Sequence, residues 1–365
     1  MSATDLASVG QHFMLGLRPG TTLDAHDRLL LRDLRPAGVI LYKSNFHHDR
    51  PYQEWLSSHG ALIAQIRETV GRDRMFVAID HEGGRVCRTP RPITRYAYAR
   101  AWAERSAEVG AAMGVELASL GVNLNFAPVL DIDSNPQNPV IAARSFGRTA
   151  EAVGTRACAF AEAMERNGVR ACGKHFPGHG DTQVDSHYEL PTITSTLDSL
   201  RARELKPFAA AIESGIGMIM TAHILFKAVD DKYPVTLSWR LTHDLLRADM
   251  GFKGVIISDD IGMRAVSSMF DSADAGLRFM AAGNDMLMIC AHWTDTERAR
   301  SLAQGIVDGR RSGALERHKL DEAHERIAAM LATTRQNDVH ALDAEIFERH
   351  AQAGTLFAEE TTEVI

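Results

Sequence analysis

Eight short apolar runs recur along the chain, separated by longer stretches in which apolar residues return at helical spacing. The runs are Phe13 to Leu15, Gly38 to Leu41, Phe76 to Ile79, Val122 to Phe126, Val169 to Gly173, Met218 to Thr221, Val255 to Ile257 and Met286 to Ile289. Most lack strict apolar/polar alternation, which is the pattern of parallel strands covered on both faces. Between them, Leu56 to Val70, Arg105 to Leu120, Glu151 to Asn167 and Leu200 to Ser214 carry a helical stripe. Leu120-Gly121, Asn167-Gly168 and Ser214-Gly215 then mark helix ends at which glycine takes a left-handed cap. The repeated order is helix, glycine, strand, loop, and eight such strands close a barrel. The pattern predicts an α/β fold, a single-domain (β/α)8 TIM-type barrel over residues 8–335. A polar stretch from Arg310 to Lys319 separates its last helix from an amphipathic one at Leu320 to Thr333. Residues 336–365, rich in Ala and Glu and weakly patterned, read as a C-terminal helical extension with a fraying end.

Composition narrows the function classes. The chain has 365 residues, 45% of them hydrophobic and 24% charged, as expected of a globular protein with a substantial core. Lys and Arg number 40 against 47 Asp and Glu, and the basic residues are scattered instead of striped, which argues against a nucleic-acid partner. The N-terminus carries neither a basic nor a long apolar region. No run approaches the roughly 18 apolar residues that span a bilayer, so no membrane association and a cytoplasmic location are expected. Cys87, Cys158, Cys172 and Cys290 lie far apart and form no paired metal motif; buried thiols in a reducing compartment are the expectation.

The chemistry concentrates where strands end. Lys174 to His187 (K-H-F-P-G-H-G-D-T-Q-V-D-S-H) packs one lysine, three histidines and two aspartates into a glycine-containing segment with no strand or helix period. Asp80 and Glu82 follow the third predicted strand, Asn125 ends the fourth, Thr221-Ala222-His223 follow the sixth and Asp259-Asp260 the seventh. In a barrel these positions converge on one mouth, the arrangement of a hydrolytic site. Asp80, Arg88, Arg144, Lys174 and His175 suit a neutral polyhydroxylated ligand, whose hydroxyls accept from and donate to fixed charged groups. Asp185 and His187, one residue apart, form a dyad in which the carboxylate holds the imidazole tautomer for proton transfer. Asp259 stands at the end of a β-branched run with its side chain toward the mouth; Asp260 has the opposite parity and is expected to meet packing or hydrogen-bonding partners. Capping of a following helix near Gly262-Met263 is the structural alternative for both. His175, His179, Asp181, Asp185 and His187 are all possible metal ligands, yet their spacing matches no strong zinc or calcium signature, and Lys174 would oppose a cation. No metal and no cofactor are expected. Gly178-His179-Gly180 reads as a bend and hinge in the loop.

These motifs resemble family 3 glycoside hydrolases, specifically the bacterial β-N-acetylhexosaminidases of peptidoglycan recycling. The resemblance rests on Asp80 to Val86 (D-H-E-G-G-R-V), Asn125 to Asp131 (N-F-A-P-V-L-D), Arg144-Ser145-Phe146-Gly147, the Lys174 to His187 segment and Ser258-Asp259-Asp260. It implies Asp259 as nucleophile, His187 as acid/base tuned by Asp185, and Asp80, Arg88, Arg144, Lys174 and His175 around a non-reducing N-acetylglucosamine. The implied activity is a retaining exo-β-N-acetylglucosaminidase acting on muropeptide fragments, with a small sugar or muropeptide substrate and no named protein partner. Two segments depart from the pattern: Ile261-Gly262-Met263, and Arg88 to Tyr98 with its Arg91-Pro92 and two tyrosines. The rival readings are a β-glucosidase-type exo-glycosidase, a β-N-acetylglucosaminide phosphorylase and a non-catalytic sugar-binding barrel.

Overall fold

The computed structural model describes residues 3–182, 189–291 and 295–358. Eight parallel strands close a barrel: β1 (Phe13–Gly16), β2 (Gly38–Leu41), β3 (Phe76–Ile79), β4 (Leu124–Asn125), β5 (Arg170–Phe176), β6 (Met218–Thr221), β7 (Val255–Asp260) and β8 (Met286–Ile289). Neighbours in sequence are neighbours in the barrel, and Phe13 pairs with Leu287 to seal the ring. The expected fold class is therefore the observed one. All eight predicted strands exist; β5 and β7 run further than their apolar runs, so Lys174, His175, Asp259 and Asp260 lie within strands.

Alternation of side chains sorts the strand residues into two cores. Met14, Ile40, Phe76, Ala78, Met218, Met220, Val255, Ile257, Met286 and Met288 fill the interior. Leu15, Val39, Val77, Ile219, Ile256 and Leu287 face the surrounding helices. A fully covered strand is apolar at both parities, which is why the runs show no alternation in sequence. The helix at Arg317–Thr333 adds Ile327, Met330 and Leu331 to the interior core, and Arg74, just before β3, donates to Leu331 O at 2.7 Å. That helix thus closes the N-terminal end of the barrel, leaving the opposite end open for chemistry.

The helix expected over Leu200 to Ser214 is two, Leu197–Ala202 and Leu205–Glu213. Pro207 has no N–H to give the carbonyl of Arg203, so the helical ladder cannot run through this point. Gly121, Gly168 and Gly215 all have positive φ, as their helix-ending role requires. A two-stranded parallel sheet, Thr192–Ile193 with Leu225–Phe226, was not foreseen because two-residue strands carry no readable period. The extension is docked over its described length. Asn337 is buried and donates to Val122 O and Gly168 O, Val339 bridges to Leu120, and a helix at Ala344–Ala351 buries Phe347. No helix among the described residues is long and apolar enough to cross a membrane.

Beneath the barrel, fully buried Asp285 accepts from Ile256 N at 2.7 Å, from Arg326 Nε at 2.9 Å and from Arg247. One carboxylate thereby joins β7, the closing helix and the segment Arg240–Asp249. Asp285→Ala removes the fully buried carboxylate that Arg247 and Arg326 share and is expected to cost about 3–5 kcal/mol. A urea unfolding midpoint measures this, and a loss below about 1 kcal/mol, the worth of a surface pair, contradicts the role given to Asp285.

Candidate active site

Each functional side chain is delivered by the C-terminal end of a strand or the loop beyond it. Asp80 and Glu82 follow β3, Arg88 lies on the loop after them, and Arg144 ends a short turn, Ala142–Arg144, in the β4 loop. Lys174 and His175 come from β5 itself, Asp259 from β7. Asp80, Arg88, Arg144, Lys174, His175 and Asp259 all line one cavity of about 700 Å³ at the open end of the barrel. The other two sequence candidates, Asp185 and His187, lie outside the described residues.

An ionic cluster forms one wall. The Arg144 guanidinium grips Glu82 with two hydrogen bonds of 2.8 Å, and Lys174 Nζ lies 2.5 Å from both Glu82 Oε1 and Asp80 Oδ1. Arg88 Nη2 reaches Asp80 Oδ2 at 3.3 Å. Burial alone would protonate Glu82, but Arg144 and Lys174 together hold it well below the usual carboxylate range. Burial likewise opposes the charge on Arg144 and on Lys174, and the carboxylates overcome it: Glu82 for Arg144, Asp80 and Glu82 for Lys174. Three cations thus face two anions, leaving one positive charge in excess on a wall that also borders Asp259. Among the described residues, the acids Asp80 and Glu82 engage two of the three Lys174 donors.

His175 is set by a second buried acid. Asp131 accepts from His175 Nδ1 at 2.7 Å, from His175 N at 3.2 Å and from His179 N at 2.7 Å. Burial pushes the Asp131 pKa up, but His175 and these donors bring it below its ordinary value. An ionised Asp131 can only accept, so Nδ1 of His175 carries the proton and Nε2 is the nitrogen left for other partners. His179, buried and next to His175, titrates at about 4; its Nδ1 lies 2.9 Å from Thr182 Oγ1. Gly180 is closely packed: a Cβ there would meet Ile132 O at 1.7 Å, so this glycine serves a close approach instead of the hinge expected of it. Asp181 is engaged by Arg203 and Ser134. Among the described residues, no three His, Cys, Asp or Glu side chains gather as metal ligands.

The end of β7 shows why both aspartates reach the cavity. Val255 and Ile257 point inward, and Asp259 continues that parity. Between β7 and β8 the register slips, with Met286 opposite Ile257 but Met288 opposite Asp260, so three residues of β7 span two of β8. The slip turns the Asp260 carboxylate into the seam between the strands, where Oδ1 accepts from Gly262 N at 2.9 Å and Cys290 N at 3.1 Å. Asp260 thus has the hydrogen-bonding partners its parity suggested and also lines the cavity. Its own N–H donates to Asp259 Oδ1 at 2.7 Å, and its Oδ2 is buried with no hydrogen-bond partner among the described residues. Burial raises the Asp260 pKa to about 7, helped by neighbouring Asp259 and resisted by the Gly262 and Cys290 amides. Neither aspartate caps a helix; the next α-helix begins at Asp274.

Sequence reasoning had placed Glu82 and Asp131 in motifs without giving either a role; both are buried and ionic here. It overlooked the segment after β2, from which Tyr42, Lys43, Phe46, His47 and His48 line the cavity. The available signal was its position, since every strand-end loop faces the mouth.

The sequence matches the glycosyl hydrolase family 3 N-terminal domain over residues 8–330. It is 40% identical over 279 residues to a β-hexosaminidase of Methylococcus capsulatus, covering 74% of this chain and 80% of that one. It is 34% identical over 334 residues to β-hexosaminidase A of Pseudoalteromonas piscicida, covering 85% of this chain but spanning only 55% of that protein. Among solved structures, a family 3 β-N-acetylglucosaminidase from Paenibacillus sp. FPU-7 superposes with a TM-score of 0.84 at 31% identity, over 97% of this chain and 69% of that one. NagZ from Neisseria gonorrhoeae in complex with N-trifluoroacetyl-D-glucosamine superposes with a TM-score of 0.71 at 28% identity, over 93% of each chain.

The raised Asp260 pKa has a signed consequence for stability. The folded protein holds a proton that the unfolded chain, titrating near 3.8, releases, so stability falls as pH rises from about 4 through about 7 and then levels off. Asp260→Asn keeps the Oδ1 acceptor without the titration. Denaturant unfolding at pH 5 and pH 8 should show a smaller drop for Asp260→Asn than for the parent, and equal drops contradict the assignment.

Proposed function

The chain belongs to glycosyl hydrolase family 3, and on that premise we propose that it is a retaining exo-β-N-acetylglucosaminidase, with Asp259 as its nucleophile, releasing a terminal N-acetylglucosamine from small muropeptide-type substrates. The observation that carries this reading is the convergence of Asp259, on the inward parity of β7, with Asp80, Arg88, Arg144, Lys174 and His175 in a single cavity of about 700 Å³. A pocket of this size encloses a small ligand, and fixed charges at its wall favour hydroxyl groups held in one orientation.

The chemistry divides into two steps. In the first, His187, oriented by Asp185, protonates the glycosidic oxygen while an Asp259 oxygen attacks the anomeric carbon, breaking the bond to the leaving alcohol and forming a covalent glycosyl-enzyme. In the second, neutral His187 takes a proton from water, whose oxygen displaces Asp259 and restores the original β configuration. The wall supports both. The Asp260 amide holds Asp259 Oδ1 at 2.7 Å and so fixes the carboxylate for attack. The cations Arg88, Arg144 and Lys174, paired with Asp80 and Glu82, stand on the wall of the cavity that Asp259 also lines.

Two variants test the roles. Asp259→Ala should remain folded and lose nearly all turnover of an aryl N-acetyl-β-glucosaminide; near-normal hydrolysis by a verified variant rules the nucleophile out. His187→Ala should slow substrates with poor leaving groups by roughly 10²- to 10⁴-fold while sparing activated aryl glycosides, which depart without a proton. Equal losses for all leaving groups contradict an acid/base role for His187.

A further inference from the structure

The loop after β3 does two things at once. Its first residues include Asp80 and Arg88, which line the cavity, and its later part, residues 94–98, faces the C-terminal extension. The extension meets that later part with backbone as well as side chains. Ala97 N donates to Thr355 O and Phe357 N to Arg95 O, both at 2.8 Å, around an antiparallel bridge between Tyr96 and Leu356. Tyr96 Oη donates to His350 O at 2.7 Å. Buried Glu116 ties the same partners from below, accepting from Thr94 N and Thr94 Oγ1 at 2.6 Å and lying 2.8 Å from His350 Nδ1. The Phe357 ring packs edge-on against Tyr98, its centroid 5.9 Å away, under the Arg95 guanidinium.

These contacts reach the cavity through two short links. Gly84 N donates to Tyr96 O at 2.8 Å, and Gly84 lies so close to the Tyr98 ring that an added Cβ would come within 2.3 Å of it. Gly83 and Val86 close a tight hairpin, in which Glu82 N also donates to Val86 O at 2.9 Å. Residues 94–98 therefore form the platform on which the Glu82-to-Arg88 turn rests, and the extension is the other half of that platform. The family match ends at residue 330, so the extension lies outside it.

We propose that residues 350–358 are a positioning strap: by adding a strand to residues 95–97, they hold the β3 loop so that Asp80 and Arg88 stand correctly for the sugar. The proposal rests on the reading above that these two residues bind substrate. Residues 350–358 touch no reacting atom. Loosening the strap removes contacts that serve ground state and transition state alike, so KM should rise while kcat is largely kept.

The test uses the full chain and four variants: Phe357→Ala, His350→Ala, Phe357→Tyr and a chain ending at Ala353, which lacks the added strand. Michaelis constants for an aryl N-acetyl-β-glucosaminide and amide hydrogen exchange over residues 83–98 are measured for each. Phe357→Ala, His350→Ala and the shortened chain should raise KM by roughly three- to thirtyfold with kcat changed less than about threefold. Exchange at residues 83–98 should quicken in the same variants, and Phe357→Tyr should restore both values. Should the shortened chain fail to fold, the single substitutions decide. Unchanged KM, or a fall in kcat with KM unchanged, overturns the proposal, as does unchanged exchange in residues 83–98. Absence of turnover in the parent enzyme refutes the substrate reading instead, and the exchange measurement still decides whether the strap holds the loop.

Discussion

A buried ionic cluster governs the rest of this molecule. Glu82, Arg144 and Lys174 are each almost wholly out of water, and none could be charged there alone. Glu82 is charged because Arg144 and Lys174 both bond to it, Arg144 because Glu82 does, and Lys174 because Asp80 and Glu82 do; the members come from separate parts of the chain. Such a cluster is stable only if its members cannot separate, so it demands a frame with little freedom. The closed barrel supplies it: β3 and β5 are both tied into the ring, and the β4 loop is anchored at Asp131 and Ser145. The return is a wall of fixed dipoles and charges that need not reorganise when a sugar arrives or when charge develops at its anomeric carbon.

The same economy of placement recurs around Asp259. A slip of one residue between β7 and β8 turns Asp260 into the seam, fixes its amide toward Asp259, and leaves Asp259 on the inward parity of its strand. His175 receives equivalent treatment from Asp131. Behind Arg144, Lys174 and His175 stand the buried acids Glu82 and Asp131, contributed by motifs other than those of the residues they hold.

Legibility in the sequence followed the range of the forces involved. All eight strands were readable because a parallel strand buried on both faces is apolar at every position, and helix-ending glycines punctuated them. Asp80, Arg88, Arg144, Lys174, His175 and Asp259 were readable as a set because a barrel brings strand ends together, whatever their separation in sequence. The partition of work within that set was not. Glu82 looks like any carboxylate until Arg144, 62 residues away, is seen to grip it, and the position of Asp260 depends on a register slip that no local pattern encodes. The break at Arg203 and Glu204 was hidden because the helical stripe continues across it while Pro207 interrupts only the hydrogen bonds. The extension looked weakly patterned for a related reason: residues 354–357 bind largely through backbone groups, which leave no mark on side-chain composition.

On the proposed function, this preorganised wall presents Asp259, and no other carboxylate, to the anomeric carbon. A 5-fluoro N-acetyl-β-glucosaminide with a good leaving group tests it directly, because fluorine destabilises the oxocarbenium-like transition states and slows breakdown of the covalent intermediate. After incubation, proteolysis and fragment mass spectrometry should find one sugar attached at Asp259. A sugar on Asp260 or on Asp80, or turnover of the reagent through a process that never labels the protein, would contradict it.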